Sequence, residues 1–217
     1  IVHPMKILLT AGPTREAIDP VRYISNRSSG KMGYALAEAA LAAGHEVILV
    51  SGPVALRPPA GATVVNVVSA DEMYDAVHAH IHEVQMAILT AAVADFKPAA
   101  AANRKLKKDQ GIPEIRLVPT RDILASLGAI RDRSFFLVGF AAETDDIAAN
   151  AVNKLSRKQC DVIVANDVSN PQIGFESDDN AVTLYIRGGE IIVLPRAKKE
   201  DLARDLIRIF CNLIENR

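Results

Sequence analysis

Hydroxyls, amides and glycines crowd one short stretch of the chain: Ser25, Asn26, Arg27, Ser28, Ser29, Gly30, Lys31, Met32 and Gly33. The first turn of a helix has unpaired backbone N–H groups and the positive end of the helix dipole. Gly30 would let a phosphate approach the backbone, and Gly33 would let the helix pack closely on its neighbour. The stretch therefore reads as a phosphate cradle, with a plain serine N-cap and glycine turn as the alternative. Further along, Lys105, Lys107 and Lys108 lie between prolines and an alanine run. A basic loop of that kind can close over a polyphosphate and neutralise developing charge, or it can be a solvated charge run. Lys154 and Lys158 stand four apart on one helix face, able to reach one phosphate together or to complement a helix C-terminus. Asn166 and Asp167 end an apolar run, as ligands or as a turn.

Other chemistries are excluded by spacing. There is no GxxxxGK[ST] phosphate loop and no GxGxxG after the first strand. Of His78, His80 and His82 only the outer two share a helix face, and no third ligand is near, so metal binding there is not expected. Asp19 and Arg22 flank a proline turn and can simply pair with each other. Cys160 and Cys211 have no CxxC partner and read as two buried thiols in a reducing cytosol.

The elements that must position these residues follow from apolar patterning. Strands are expected at 6–10, 46–51, 64–68, 86–93, 114–118, 135–141 and 161–165, and helices at 30–44, 70–84, 122–131, 145–158 and 199–216. Residues 94–113 read as one mobile loop. Residues 181–186 and 190–194 flank Arg187, Gly188 and Gly189 and read as a hairpin. The strands are continuous apolar runs alternating with helices. That predicts an α/β fold: a doubly wound, mostly parallel sheet with Rossmann-like topology and a C-terminal β-hairpin extension. Ligands of such sheets sit at the carboxyl ends of the strands, near Gly12, Asp95, Phe140 and Asn166.

The 217 residues are 49% hydrophobic and 24% charged, with a net charge of -1. The length suits a single domain, 5–217, after a remnant or linker at 1–4. The charge gives no footprint for nucleic acid or an anionic membrane. No apolar run approaches the roughly 18 residues a bilayer requires, and no leader pattern opens the chain, so a cytoplasmic location is expected.

The segments TAGPTREAIDPVRYISNRSSGKMG, TAAVADF, KLKK, VGFAAET, ANDV and GFESDDNAVTLY occur here in one order. Together they resemble the phosphopantothenoylcysteine synthetases, the bacterial ones in particular, over residues 5–194. In many bacteria that activity is the C-terminal half of a bifunctional protein whose other half is a flavin-dependent decarboxylase. The resemblance implies a ligase of coenzyme A biosynthesis that joins L-cysteine to 4'-phosphopantothenate. CTP would activate the carboxylate as an acyl-cytidylate with Mg²⁺ at the triphosphate, and pyrophosphate and then CMP would be released.

It further implies residue roles. Gly12, Ser28, Gly30, Gly33, Asp95, Lys105, Phe140, Lys154, Lys158 and Asn166 would bind CTP, and Asp95 would approach the metal. Asn26 and Lys105 would be catalytic: Asn26 holding the acyl-cytidylate, Lys105 serving nucleotidyl transfer from a flap. Asn26, Ala91 and Ala92 would bind phosphopantothenate, with Arg22 arriving from the neighbouring subunit of a homodimer. The sequence departs from the family where Thr120 and Arg121 precede Asp122, in place of the usual Asn-Pro. A nicotinamide-dependent oxidoreductase and a catalytically silent nucleotide-binding paralogue are the alternatives.

Overall fold

The computed structural model describes residues 3–111, 113–143, 146–167 and 177–216. Its strands are β1 (Lys6–Ala11), β2 (Arg15–Ala17), β3 (Tyr23–Ser25), β4 (Glu46–Ser51), β5 (Thr63–Asn66), β6 (Met86–Leu89), β7 (Phe96–Pro98), β8 (Leu117–Pro119), β9 (Phe136–Glu143), β10 (Val162–Asp167), β11 (Asp179–Ile186) and β12 (Ile191–Lys198). The helices are α1 (Lys31–Ala42), α2 (Ala70–His80), α3 (Ile123–Gly128), α4 (Ile147–Arg157) and α5 (Lys199–Glu215).

Eight strands form one sheet in the order β12-β11-β10-β9-β6-β1-β4-β5. The six from β5 to β10 are mutually parallel, and the β11–β12 hairpin extends the edge antiparallel. Residues of β1 alternate between two cores. Ile7, Leu9 and Ala11 face α1 and α5, while Leu8 faces the side covered by α2, α3 and α4. A strand buried on both faces must be apolar throughout, which explains the continuous runs. This is a Rossmann-like α/β sheet. Chain order runs outward from β1 to β5 in one direction and from β6 to β10 in the other, so the switch point lies between β1 and β6.

The structure corrects several boundaries. The strand expected over 86–93 stops at Leu89. Beyond it the chain continues alongside the end of β1, with Ala92 N–H donating to the Gly12 carbonyl at 2.9 Å and a parallel bridge from Ala92 to Pro13. The expected 94–113 loop contains β7, which pairs antiparallel with β8; that strand begins at Leu117 and not at 114. A second small hairpin, β2 with β3, was not expected. Strands of three residues carry no periodicity to read.

The candidate active site at the strand switch point

A crevice of about 350 Å³ opens at the carboxyl ends of β1, β6, β9 and β10. Its floor is the start of α1. Gly30 is the N-cap residue with φ of 80°, and no side chain caps the helix. Ser28 Oγ instead accepts from Gly30 N–H at 3.3 Å, and Ser29 Oγ lies 3.5 Å from Lys31 N. The serine N-cap alternative is therefore replaced by a glycine start with hydroxyls beside it. Gly33 is required by close approach, because a Cβ there would lie 2.6 Å from Ala11 Cβ and 2.5 Å from Thr90 Oγ1. That absence of a side chain lets α1 seat its N-terminus over the end of β1.

Of the residues expected from sequence, Asn26, Ser28, Gly30, Gly33, Ala91, Ala92, Asp95, Phe140, Lys154 and Asn166 all line this crevice. Gly12 lies just beneath, its Cα 3.4 Å from where a Cβ of Gly30 would stand. Asn26 comes from the end of the β2–β3 hairpin and is held by its Nδ2 donating to the Ala92 carbonyl at 2.9 Å. Lys154 reaches in from α4, with Nζ donating to the Phe140 carbonyl at 3.3 Å. Asn166 is 8% exposed, and its Oδ1 accepts no hydrogen bond among the described residues. A buried orphan acceptor facing a cavity marks a place where a ligand donor is missing.

A second lobe of about 440 Å³ shares Ala91, Asp95, Phe140 and Lys154 with the first and is closed by Lys158. Lys158 there pairs with Asp122. Burial pushes the Asp122 carboxyl up, but the Lys158 ammonium and the Ala125 N–H outweigh it and hold the group below its ordinary value. Arg121, at the departure from the family pattern, turns away. It bonds Asp71 and Asp75 and stacks over Tyr74, 4.0 Å from the ring centroid.

Besides Gly12, two expected residues lie outside both lobes. Arg22 pairs with Asp19 of its own chain, and Lys105 sits on the segment beside it. Among the lining residues not foreseen are Thr90, Asn180 and Lys199. Lys31, within the cradle stretch read from the sequence, lines the crevice too. Lys199 had no signal, because only the fold-back of β11 and β12 brings the start of α5 beside α1. Lys199 is 6% exposed, its Nζ donates to the Ser177 carbonyl, and burial with the nearby Lys31 charge lowers its pKa. Lys31 pairs with Asp178 at 2.6 Å. Three lysines and a helix N-terminus thus surround one cavity.

The histidines are occupied elsewhere. His78 bonds Ser126 at 2.9 Å and stacks on Tyr74, and His80 bonds Glu83 at 2.7 Å. Glu143 and Asp167 have no described side chains, and the start of the GFESDDNAVTLY motif lies outside the described residues.

The chain is 52% identical over 204 residues to the coenzyme A biosynthesis bifunctional protein CoaBC of Vibrio vulnificus strain YJ016, covering 93% of this chain and 51% of that protein. It thus spans about half the length of the curated relatives it matches. Among solved structures it resembles the C-terminal domain of a coenzyme A biosynthesis bifunctional protein CoaBC, with 45% identity, a TM-score of 0.84, and coverage of 98% of this chain and 96% of that one. It also resembles the DNA/pantothenate metabolism flavoprotein from Streptococcus pneumoniae, with 25% identity, a TM-score of 0.80, and coverage of 94% and 97%.

These findings correct the functional expectation. The relatives carry coenzyme A biosynthesis, a bifunctional parent and, in one solved structure, a flavoprotein name. The CTP-dependent ligase, its acyl-cytidylate and Mg²⁺ are withdrawn accordingly. Among the described residues there is no group of three His, Cys, Asp or Glu that could hold a metal ion.

A flavoprotein relative implies a flavin, and the crevice can be tested for one. The α1 start and the lysines suit a phosphate. An isoalloxazine needs a flat apolar slot for three fused rings. Phe140 is the one aromatic side chain among the described lining, and Asn26, Ser28, Ser29, Lys154, Asn166 and Lys199 surround it. The described residues do not fit the ring system.

The family model that matches, over residues 2–213, is the DNA/pantothenate metabolism flavoprotein C-terminal domain, and in place of the synthetase family expected from the motifs the chain belongs to that one.

Proposed function

We propose that this domain acts in coenzyme A biosynthesis by binding a phosphorylated pantothenoyl compound in the switch-point crevice. The observation that carries the reading is the convergence of the open N-terminus of α1 with Lys154, Lys199 and the orphaned Asn166 acceptor. The cations and helix end suit the phosphate. Asn26, Asn166 and Asn180 supply the amides that an amide- and hydroxyl-rich pantothenoyl arm would pair with. The identity to proteins of coenzyme A biosynthesis supports the pathway.

Calorimetric titration of the purified chain with 4'-phosphopantothenate, 4'-phosphopantothenoylcysteine and unphosphorylated pantothenate tests it. Either phosphorylated compound should bind at least roughly tenfold more tightly than pantothenate, the worth of one charge-assisted contact. Lys154→Ala should remove most of that difference. Equal binding of the three, or none, would refute the reading. Mass spectrometry of the same samples, with and without added flavin, reads whether carbon dioxide is lost from phosphopantothenoylcysteine or the compound is otherwise changed.

The proposal extends to self-association. Val21, Tyr23, Phe96 and Leu117 are between 47% and 58% exposed, and they lie on or beside the two small hairpins, which touch through β2 and β7. Apolar side chains left on adjoining hairpins favour a homodimer contact there. A monomeric mass by light scattering at micromolar concentration would refute it. No described helix is long and apolar enough to cross a membrane.

A further inference from the structure

Arg22 and Lys105 are far apart in sequence and both lie off the crevice, yet one residue joins them. Leu106 gives its N–H to Asp19 Oδ2 at 3.1 Å and receives Arg22 Nη2 on its carbonyl at 2.8 Å. Arg22 Nε meanwhile donates to the same Asp19 Oδ2 at 3.0 Å. Asp19 is 3% exposed, and its Oδ1 accepts the N–H groups of Val21 and Arg22 at 2.9 and 2.8 Å. A second tie lies close by, from Ala102 N–H to the Ile18 carbonyl at 2.9 Å. Both backbone groups of Leu106 are thus satisfied by one ion pair, and the basic residues Arg104, Lys105, Lys107 and Lys108 flank it.

We propose that Asp19 and Arg22 are positioning residues that latch the basic 104–108 segment to the β2–β3 hairpin, the same hairpin that delivers Asn26 to the crevice. The latch fixes where Lys105 stands when a ligand enters. A free loop carrying four cations would stay extended in solvent, because its charges repel one another and nothing apolar in it is buried. The guanidinium is suited to the task because its rigid planar fork sets Nε and Nη2 on Asp19 with Nη2 also on the Leu106 carbonyl, a fixed geometry that a single ammonium nitrogen lacks.

Trypsin cleaves after the residues the latch holds, so native-state proteolysis of the full chain reads it with no ligand present. Arg22→Ala should raise cleavage within 104–108 roughly tenfold, as the population of the open segment grows. Cleavage elsewhere should stay at the wild-type rate, while the thermal midpoint falls as Asp19 loses its charge partner. Arg22→Lys should fall between, keeping the charge and losing the carbonyl contact. Wild-type cleavage rates within 104–108 in folded Arg22→Ala would overturn the proposal. Should Arg22→Ala not fold, the Leu106 amide of the wild type decides. Exchange slowed on the order of 100-fold is expected of a latched N–H; exchange at the free-chain rate would overturn it.

The link to Lys105 rests on the phosphorylated-ligand reading and is tested separately. Arg22→Ala should weaken 4'-phosphopantothenate binding in the wild-type background and add nothing in Lys105→Ala. Additive losses would detach the latch from Lys105. Absence of any ligand binding would refute the binding reading and leave the proteolysis result standing.

Discussion

At Asn166 an amide oxygen is shielded from solvent and accepts no hydrogen bond among the described residues. An acceptor left in that state costs about 1–3 kcal/mol relative to one that is paired. Folding alone gives no reason to keep it, whereas a ligand donor would repay it on binding. Asn166→Leu separates the two. Removing the orphan should leave the thermal midpoint of the ligand-free chain unchanged or raise it by a few degrees, at roughly 2–4 °C per kcal/mol for a chain of this size. The same substitution should weaken phosphorylated-ligand binding by at least about tenfold, the value of one lost buried hydrogen bond. A fall in the ligand-free midpoint would mean that Asn166 serves the fold.

Among the elements, β9 and β10 are held at their start by a single buried carboxylate. Asp161, 4% exposed, accepts Leu137 N–H at 2.8 Å and Arg133 Nη2 at 2.9 Å, and Arg187 stands 3.8 Å away. The Arg133 side chain is itself only 8% exposed. Breaking a buried pair by deleting one partner typically costs about 3–5 kcal/mol, because the other charge is left uncompensated. Asp161→Ala should therefore lower the midpoint by roughly 6–20 °C in a calorimetric scan. A loss under about 1 kcal/mol would mean that Arg133 escapes to solvent.

Nothing in the sequence pointed to Asp161, which stands beside Cys160 just before an apolar run and looks like turn punctuation. The six parallel strands of the sheet were legible because burial on both faces leaves continuous apolar runs. Site residues at strand ends and the α1 start were legible for the same reason: the switch point follows from strand order. The short hairpins were not, since three-residue strands are fixed by what they pack against. Lys199 and the Asp19 latch were illegible because each depends on segments that meet only in three dimensions.

For the molecule as a whole, these ion pairs and buried bases set how stability responds to acid. Asp19, Asp71 and Asp178 are held below the ordinary carboxylate range, chiefly by hydrogen bonds from Arg22, Lys97 and Lys31 respectively. A carboxyl with a depressed folded pKa contributes stability that is complete above its unfolded value, near 4, and is lost as pH falls through the folded one. His45 and His78 are shifted the other way in effect, since burial lowers both and so favours their neutral forms. When the folded pKa of a base lies below the unfolded one, the unfolded chain takes up protons first, so stability begins to fall as pH drops below about 6.5.

Acid loss should accordingly come in two stages, a shallow one starting near pH 6.5 and a steeper one below about pH 4. His45 is the cleaner probe of the first stage. It is 4% exposed, its Nδ1 accepts the Met5 N–H at 3.2 Å, and its Nε2 meets Cys211 Sγ at 3.4 Å. Protonating Nδ1 would break the Met5 bond and place a charge between α1 and α5. His45→Gln cannot titrate, and midpoints measured from pH 8 to 3 should show the upper stage reduced and the lower one unchanged. A curve with its upper stage intact in His45→Gln would move that titration to His78, on the opposite face of the sheet.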